Sequence, residues 1–196
     1  VILNMLEECR KAGHEDRALM FCSLSKVTFP GAGVAAMAAS RRNIDYILKN
    51  MFPMIISFDK LNQVRHIRFL KDMDGLAAHM EKHRALLEPK FRAVLAILDE
   101  GLSGCGSIAR WTKPNGGYFL SLYTLGGCAK RTVQLCREAG VVLTDAGAAY
   151  PYGVDPQDSN IRIAPTFPPL DELETASRLL CVCVRIATLE KLLQRQ

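Results

Sequence analysis

The sequence predicts an α/β fold made of two units joined by a long helix, and three patterns support this prediction. Short apolar runs alternate with helical patterns at the start, one long helical pattern follows, and a strand–turn–strand pattern precedes the last helices. With 49% hydrophobic and 23% charged residues among 196, the chain has enough apolar side chains to bury a core. We expect one α/β unit over residues 1–72, a helix over 73–101 that joins it to the next unit, and a smaller C-terminal unit over 102–196.

The first of these segments carries the alternating pattern. Apolar residues recur at helical spacing from Ile2 to Cys9, and Gly13 is placed to end that helix. The run "RALMFCS" predicts a buried strand, and "GVAAMAAS" predicts a second strand of small residues. Ser40 and Asp59 each precede a further helical pattern, and both are residue types that cap the first turn of a helix. We therefore expect the order helix, strand, strand, helix, helix.

The rest of the chain predicts a long helix followed by a small α/β unit. The pattern from Asp72 or Asp74 to Gly101 places an apolar stripe on one helix, although Pro89 should kink or split it. The stretch "KPNGG" predicts a tight turn between two strands. A helix over "CAKRTVQLCREAG", a short strand "VVLT", a strand "NIRIAP" and a closing helix from Leu170 complete the expected order.

Composition and spacing argue against several classes of function. The net charge is +5, and the 25 lysines and arginines are spread along the chain, which argues against nucleic-acid binding. No apolar run approaches the roughly 20 residues that cross a membrane. Seven cysteines without regular spacing favour free thiols in a reducing compartment, so we expect a cytoplasmic protein. His79 and His83 lack the glutamate that zinc proteases carry directly after the first histidine, so no metal site is predicted.

The stretch "FCSLSKVTFPGAGVA" is the first candidate for chemistry. It places Lys26 just beyond a predicted strand, after Ser23 and Ser25 and before Gly31 and Gly33. Serine hydroxyls can donate to an anion, and glycines let the backbone turn close to a ligand. A lysine that is desolvated there loses proton affinity and becomes a nucleophile. A solvated surface lysine is the alternative that this spacing alone leaves open.

This segment and several later ones, in the same order, resemble fold-type I pyridoxal-phosphate-dependent aminotransferases. Ser23-x-Ser25-Lys26 resembles the segment of the cofactor lysine, "KPNGGYFLSL" the hairpin that opens the small domain, and "NIRIAPTFP" the strand with the substrate arginine. "LDELETASRLL" resembles the closing helix, and "DKLNQVRHIRFL" resembles a segment of the aspartate aminotransferase-like subgroup often called MocR-type. The resemblance implies the C-terminal part of the large cofactor-binding domain plus the small C-terminal domain.

The resemblance also implies roles for individual residues. Lys26 is expected to form the Schiff base with pyridoxal 5′-phosphate and then to move a proton at the substrate α-carbon. Ser23 and Ser25 are expected to hydrogen-bond the phosphate, and Arg162, a lone charge in an apolar strand, to bind the substrate carboxylate in a bidentate fork. Val34 stands where many relatives carry a phosphate-binding arginine, so what neutralises the phosphate stays open.

Four further residues complete the expected site. The resemblance places Lys60 and Asn62 in the region where relatives reach the neighbouring subunit's site, and a solvated helix face is the open alternative. Asn115 and Tyr118 lie in the predicted hairpin and are expected to line the substrate pocket, although turn chemistry alone also explains them. Because such sites are shared between subunits, the resemblance implies a homodimer.

The expected reaction is the transfer of an amino group between an amino acid, aspartate or glutamate before others, and a 2-oxo acid. The sequence begins at Val1 within a helical pattern, and the segments that relatives carry before this point are missing, so we expect a fragment that is nearly inactive by itself. Two alternatives stay open. One is another fold-type I reaction, such as that of a lyase or decarboxylase, and the other is a regulatory domain of a transcription factor that binds the cofactor without turnover.

Overall fold

The computed structural model describes residues 3–104 and 107–194 as an α/β protein that divides into two compact units, Val1–His83 and Arg84–Gln196. Val1 and Ile2, and Cys105 among the seven cysteines, lie outside the described residues. No helix in the described part of the chain combines the length and the apolarity that a membrane crossing requires.

The first unit contains two paired strands, four α-helical segments and a short 3-10 helix over Glu15–Arg17. Its elements are α1 (Met5–Lys11), β1 (Leu19–Ser23), β2 (Ala35–Ala39), α2 (Arg41–Met51), α3 (Lys60–Leu70) and the first part of α4 (Met73–Leu102). Strands β1 and β2 pair antiparallel, with Leu19 opposite Ala39 and Ser23 opposite Ala35. The loop over residues 24–34 therefore connects two adjacent strands and returns beside the end of β1.

The predicted starts of two helices in this unit are confirmed by side-chain hydrogen bonds. The Ser40 hydroxyl oxygen accepts from the amide of Asn43 at 3.3 Å, and the Asp59 carboxylate accepts from the amide of Asn62 at 2.9 Å. Each bond satisfies one of the amide groups that lack a partner in the first helical turn. The local sequence is therefore sufficient to fix where α2 and α3 begin.

The second unit packs three helices against one face of a small antiparallel sheet. It contains the rest of α4, then β3 (Ala109–Trp111), β4 (Leu120–Thr124), α5 (Ala129–Glu138), β5 (Asn160–Ile163) and α6 (Leu170–Leu193). The strand order is β3–β4–β5. Apolar side chains from one face of the sheet and from all three helices form the core, among them Leu98, Leu120, Leu122, Ile161, Cys136 and Val184. The predicted hairpin and closing helix are confirmed.

The predicted strand "VVLT" is wrong. Residues 141–144 form no strand, although Val141 and Leu143 pack against the core of the second unit. A short apolar run becomes a strand where its backbone finds a partner strand, and the described sheet ends at β3 and β5. The apolar pattern of residues 141–144 therefore indicates that side chains are buried, and it does not indicate that the segment pairs with a strand.

The expected split of the long helix at Pro89 is also wrong, because α4 continues through it. Proline removes one backbone hydrogen bond and crowds the preceding turn. In this helix Glu88 pairs with Arg84 at 3.0 Å and with Arg92 at 2.6 Å, and buried residues from Val94 onward anchor the following turns. Packing of the later turns outweighs the local cost of Pro89.

Candidate functional site

Lys26 lies in the loop that connects β1 to β2, three residues beyond Ser23, the last residue of β1. The loop is closed at its base by a hydrogen bond from the Leu24 amide to the Val34 carbonyl at 2.8 Å. Around Lys26 the backbone forms a tight turn in which the Val27 and Thr28 amides both donate to the Leu24 carbonyl at 2.9 Å. The Lys26 side chain is exposed in this structure, so the desolvation expected from the sequence stays a prediction.

Two hydroxyl groups lie together immediately before the lysine. The Oγ atoms of Ser23 and Ser25 are 2.8 Å apart, and the Ser25 amide donates to the Ser23 hydroxyl at 3.2 Å. Both serines are exposed. The end of β1 therefore presents a pair of hydroxyl donors next to a primary amine, which is a donor set suited to an anion that carries a carbonyl group.

Glycine is required where the loop returns past these serines. A Cβ atom on Gly33 would lie 2.5 Å from the Ser25 Oγ and 2.8 Å from the Ser25 Cα. Gly31 has a φ of 76°, in the left-handed region that side chains disfavour. These two positions let the second half of the loop lie directly against the segment before Lys26.

Asn62, at the start of α3, holds the same loop. Its side-chain amide donates to the Ala32 carbonyl at 2.8 Å, and its oxygen accepts from the Arg65 guanidinium at 2.6 Å. Lys60 is exposed at the first turn of α3. The predicted contacts of Lys60 and Asn62 with a cofactor stay predictions, and the contact seen for Asn62 is with the backbone of the loop.

The half-buried Val34 contributes its carbonyl to the loop and no cation to the site. A cation from α3 lies beside the loop instead, because the Arg65 guanidinium carbon is 4.7 Å from the centre of the Phe29 ring. Arg65 is thus fixed from two sides, by the ring and by Asn62.

Arg162 lies on β5, opposite Ser121 of β4. Its guanidinium carbon is 4.8 Å from the centre of the Phe119 ring, which is a cation–π distance. Its Nε atom is buried and has no hydrogen-bond partner among the described residues. A buried donor without a partner is costly, which makes this atom a candidate for binding a carboxylate.

The sheet face that carries Arg162 is polar, whereas the opposite face is the core. Arg110 pairs with Tyr123, and Tyr123 pairs with Asn160, so all three project from the same face as Arg162. The Arg110 guanidinium carbon lies 3.9 Å from the centre of the Tyr123 ring. Asn160 is buried, and its side-chain oxygen also lacks a partner among the described residues. The sequence analysis missed this face, although the alternation along β4 and β5 indicates it.

An aspartate outside the sheet fixes the strand that carries Arg162. The Asp155 carboxylate accepts from the amides of Gln157, Ser159 and Asn160 at 2.8–2.9 Å. Burial by itself would raise the pKa of Asp155, but these hydrogen bonds, with one from the Ser159 hydroxyl, outweigh it and lower the pKa. The charged Asp155 carboxylate therefore fixes the backbone at the start of β5 through these hydrogen bonds.

The two hairpin candidates differ in exposure. Asn115 is exposed in the turn between β3 and β4, and Tyr118 is half-buried just before β4. Gly117, between them, has a φ of 92°, which explains the choice of glycine in this turn. Their predicted contacts with a substrate stay predictions.

The predicted site residues fall into two groups. The first unit brings together Ser23, Ser25, Lys26 and Asn62, with Lys60 at the start of α3, two residues before Asn62. The second unit carries Arg162, Asn115 and Tyr118 on or beside one hairpin and its neighbouring strand. The sequence analysis assigned no role at this loop to His66 or to His79, whose side chains contact the loop immediately after Lys26. Among the described residues, no three metal-ligating side chains form a cluster.

Comparison with known proteins gives a consistent result over the whole chain. The family model described as "Aspartate amino-transferase" matches residues 1–196. A protein of Mycolicibacterium smegmatis that is named as an aminotransferase is 50% identical over 182 residues, which cover 93% of this chain and 42% of the relative. The chain therefore spans less than half of the length of this relative.

Solved structures share the fold. The structure of an aspartate transaminase from Corynebacterium glutamicum superposes with a TM-score of 0.92 at 41% identity, covering 96% of this chain and 44% of that one. The α-aminoadipate aminotransferase LysN of Thermus thermophilus, complexed with N-(5′-phosphopyridoxyl)-L-leucine, has a TM-score of 0.76 at 22% identity and covers 94% of this chain and 46% of that one. At that lower identity the likeness extends to the fold alone.

Proposed function

Because the chain belongs to the aspartate aminotransferase family, we propose that it forms the C-terminal part of a pyridoxal-phosphate-dependent aminotransferase of the MocR-type subgroup. The proposed reaction moves an amino group from an amino acid, aspartate or glutamate before others, to a 2-oxo acid. The relatives are more than twice as long as the matched region, so the activity is proposed for a longer protein that contains these 196 residues.

The arrangement at the end of β1 carries the proposal. Pyridoxal phosphate needs a primary amine for its aldehyde and hydrogen-bond donors for its phosphate. Lys26 supplies the amine, and the paired hydroxyls of Ser23 and Ser25 supply donors. Gly33 keeps the returning backbone close without filling the space next to Ser25. The residues present therefore fit the cofactor.

Arg162 supports the substrate side of the proposal. A guanidinium can bind a carboxylate through two parallel hydrogen bonds, and the Arg162 Nε is a buried donor without a partner among the described residues. The Phe119 ring limits the positions of the guanidinium. We assign to Arg162 the binding of the substrate α-carboxylate, which orients the amino acid and contributes part of the barrier reduction.

The chemistry divides between the cofactor and the protein. When bound, pyridoxal phosphate supplies an electron sink for the electrons of a broken bond at the substrate α-carbon. Lys26 would hold the cofactor through its side-chain amine, and the same amine would take and return the proton at the substrate α-carbon as a general base. Ser23 and Ser25 anchor the phosphate so that this proton moves at a fixed place.

The remaining site residues take supporting parts in the proposal. We assign Lys60 and Asn62 to cofactor binding, with Asn62 acting at least in part through the loop carbonyl that it contacts. Asn115 and Tyr118 are assigned to the substrate pocket.

A trapping experiment tests the proposed role of Lys26. The longer protein is incubated with pyridoxal phosphate and reduced with borohydride, which makes the bond between cofactor and lysine permanent, and the modified peptide is identified by mass spectrometry. We expect the modification on Lys26. The Lys26→Ala variant should lose it, whereas Lys49→Ala, at an exposed position of α2, should keep it. A modification on another lysine, or none, would refute the assignment.

Product analysis tests the reaction type. With glutamate and oxaloacetate as the substrate pair, an aminotransferase forms 2-oxoglutarate and aspartate in equal amounts. A lyase or decarboxylase releases ammonia or carbon dioxide without forming the second amino acid, and that result would replace the proposed reaction. The 196 residues alone are expected to be nearly inactive, and turnover at the rate of the longer protein would contradict this.

We propose that the longer protein is a cytoplasmic homodimer. No disulfide is formed by Cys9, Cys22, Cys136, Cys181 or Cys183, which fits a reducing compartment. Several large apolar side chains of the first unit are exposed in this chain, including Ile56 at 87% and Leu61 at 85%, and such side chains are typical of interfaces. Light scattering coupled to size-exclusion chromatography should give twice the chain mass, and a monomer at micromolar concentration would contradict the dimer.

A further inference from the structure

The three residues that follow Lys26 are each held by an aromatic or histidine side chain from α3 or α4. Val27 contacts His79, Thr28 contacts His66, and the Phe29 ring packs between His66 and Phe69. The two hydrogen bonds, His66 with Thr28 and His79 with Val27, join positions 38 and 52 residues apart in the sequence. All of them lie within the first unit.

His79 fixes the backbone of the residue next to the lysine. Its Nε2 atom is 2.6 Å from the Val27 carbonyl oxygen. A carbonyl oxygen can only accept, so His79 Nε2 carries the hydrogen and donates it. The ring packs edge-on against Phe69, with 5.1 Å between ring centres, and its Nε2 atom also lies 3.1 Å from the His83 Nε2, which can only accept from it in this tautomer. His79 is thereby held in the orientation that the hydrogen bond requires.

His66 holds the next residue from the other helix. Its Nδ1 atom donates to the Asn62 carbonyl at 2.8 Å, and its Nε2 atom lies 2.7 Å from the Thr28 hydroxyl oxygen, which is also 3.2 Å from the Leu24 carbonyl oxygen. His66 is the buried residue of α3, with 5% of its surface exposed. A buried side chain with both polar atoms satisfied has little freedom to move.

The segment before Lys26 is fixed as well. The Ser25 amide donates to the Ser23 hydroxyl, and the Leu24 amide donates to Val34 across the base of the loop. The backbone of Lys26 is therefore bounded on both sides, while its side chain stays exposed. A fixed backbone is expected where the amine of a side chain must reach the same reacting atoms in every catalytic cycle.

We propose that His79 and His66 are positioning residues that set the direction of Lys26 through Val27 and Thr28. The inference rests on the proposed role of Lys26 as the lysine that holds the cofactor. It adds two side chains, those of His66 and His79, that fix the backbone on which the Lys26 amine is carried. Neither of them contacts cofactor or substrate in this assignment.

The test compares variants of His79 in the longer protein. His79→Phe keeps a ring against Phe69 but removes the donor to Val27, and His79→Gln returns an N–H donor at a similar reach. For His79→Phe we expect kcat to fall about 10-fold to 100-fold with KM within about threefold, because misplacement of a reacting group acts on the chemical step. His79→Gln should recover most of kcat. His14→Phe, at an exposed position that lies outside the loop and outside α3 and α4, is the matched control and should change neither constant.

A second measurement needs no cofactor. In the cofactor-free longer protein, hydrogen exchange of the peptide over residues 24–34 should be faster in His79→Phe than in the unsubstituted protein, and close to normal in His79→Gln. Thr28→Val removes the hydroxyl, with its contacts to His66 and to the Leu24 carbonyl, at nearly constant volume, and it is the variant to measure if His79→Phe does not fold. We expect it to speed exchange in the same peptide and to lower kcat with little change in KM.

The outcomes separate this inference from the proposed function. If borohydride traps the cofactor on Lys26 of the unsubstituted protein but His79→Phe or Thr28→Val leaves kcat and loop exchange within about twofold, the positioning role is overturned and the proposed function stands. If Lys26 of the unsubstituted protein is not trapped, the proposed function is overturned and the positioning role falls with it.

Discussion

The guanidinium carbon of Arg162 lies 4.8 Å from the centre of the Phe119 ring, while the Arg162 Nε is buried without a hydrogen-bond partner among the described residues. Stacking on the ring fixes the plane of the guanidinium, so a carboxylate that approaches it meets two parallel N–H donors. A lysine at this position keeps the charge but has no planar fork.

Arg162→Lys is therefore expected to lower kcat/KM for the amino acid substrate about 100-fold, in line with the loss of one strong charge-assisted hydrogen bond. Steady-state kinetics of the longer protein measure this. Arg110→Lys is the matched control, since Arg110 stacks on Tyr123 from the same face of the sheet, and it should stay within about twofold of the unsubstituted protein. Equal losses in both variants would mean that Arg162 acts through the sheet and not on the substrate.

Gly33→Ala is expected to destabilise the first unit by about 1–3 kcal/mol, the usual cost of forcing atoms into a filled space. The added Cβ would lie 2.8 Å from the Cα of Ser25, and backbone atoms cannot move aside as a side chain does. Urea unfolding measures the change. Gly116→Ala is the control, because nothing lies within 4 Å of its Cβ position. A neutral Gly33→Ala would show that the loop has room to relax around Ser25.

Asp155→Asn is expected to destabilise the start of β5 at neutral pH, because an amide replaces a carboxylate that accepts several hydrogen bonds. The pKa of Asp155 is lowered in the folded chain, so its contribution is present above the unfolded value near 3.8 and is lost as the pH falls through the folded pKa. The difference in urea midpoint between the two proteins should therefore shrink from pH 7 to pH 3. Asp145→Asn, at a largely exposed position that pairs with Arg137, should show a smaller effect.

Thiol reactivity should differ sharply among the cysteines. Burial, with a smaller contribution from Cys183, raises the pKa of Cys136 to about 12, and burial raises the pKa of Cys181 to about 11. At pH 8 a thiol with a pKa of 12 is ionised to roughly one part in 10⁴, and the thiolate is the reactive form. With a disulfide reagent at pH 8, the exposed Cys22 should react first, and Cys136 and Cys181 should react after denaturation. Rapid labelling of Cys136 in the native protein would contradict this.

The same shift has a consequence for stability at high pH. Because the folded pKa of Cys136 lies above its usual value of 9.0, the folded state keeps a proton that the unfolded state loses. The contribution of Cys136 is therefore complete below pH 9 and declines as the pH rises toward 12. Unfolding of the native protein and of Cys136→Ala between pH 8 and 10.5 should show a less steep loss of stability in the variant, and parallel curves would contradict the assignment.

The elements that the sequence predicted well are those whose determinants are local. The start of α3 depends on Asp59 and the amide of Asn62, three residues apart, and such a signal can be read along the chain. The hairpin of β3 and β4 depends on a turn rich in glycine and proline. The strand predicted for "VVLT" was wrong for the opposite reason. A strand forms only where its backbone pairs with another strand, and the sequence of the segment does not say whether such a partner is present.

For the candidate site, the sequence by itself determined which groups are available: an amine, two hydroxyls and a loop of glycines in one segment, and a guanidinium in an apolar strand. The tertiary structure alone decided what holds these groups, placing His66 and His79 against Thr28 and Val27 and leaving the Arg162 Nε buried with no partner in the described residues. The reason is that hydrogen bonds and burial between residues far apart in the chain depend on how helices and strands pack, and no local pattern records that packing.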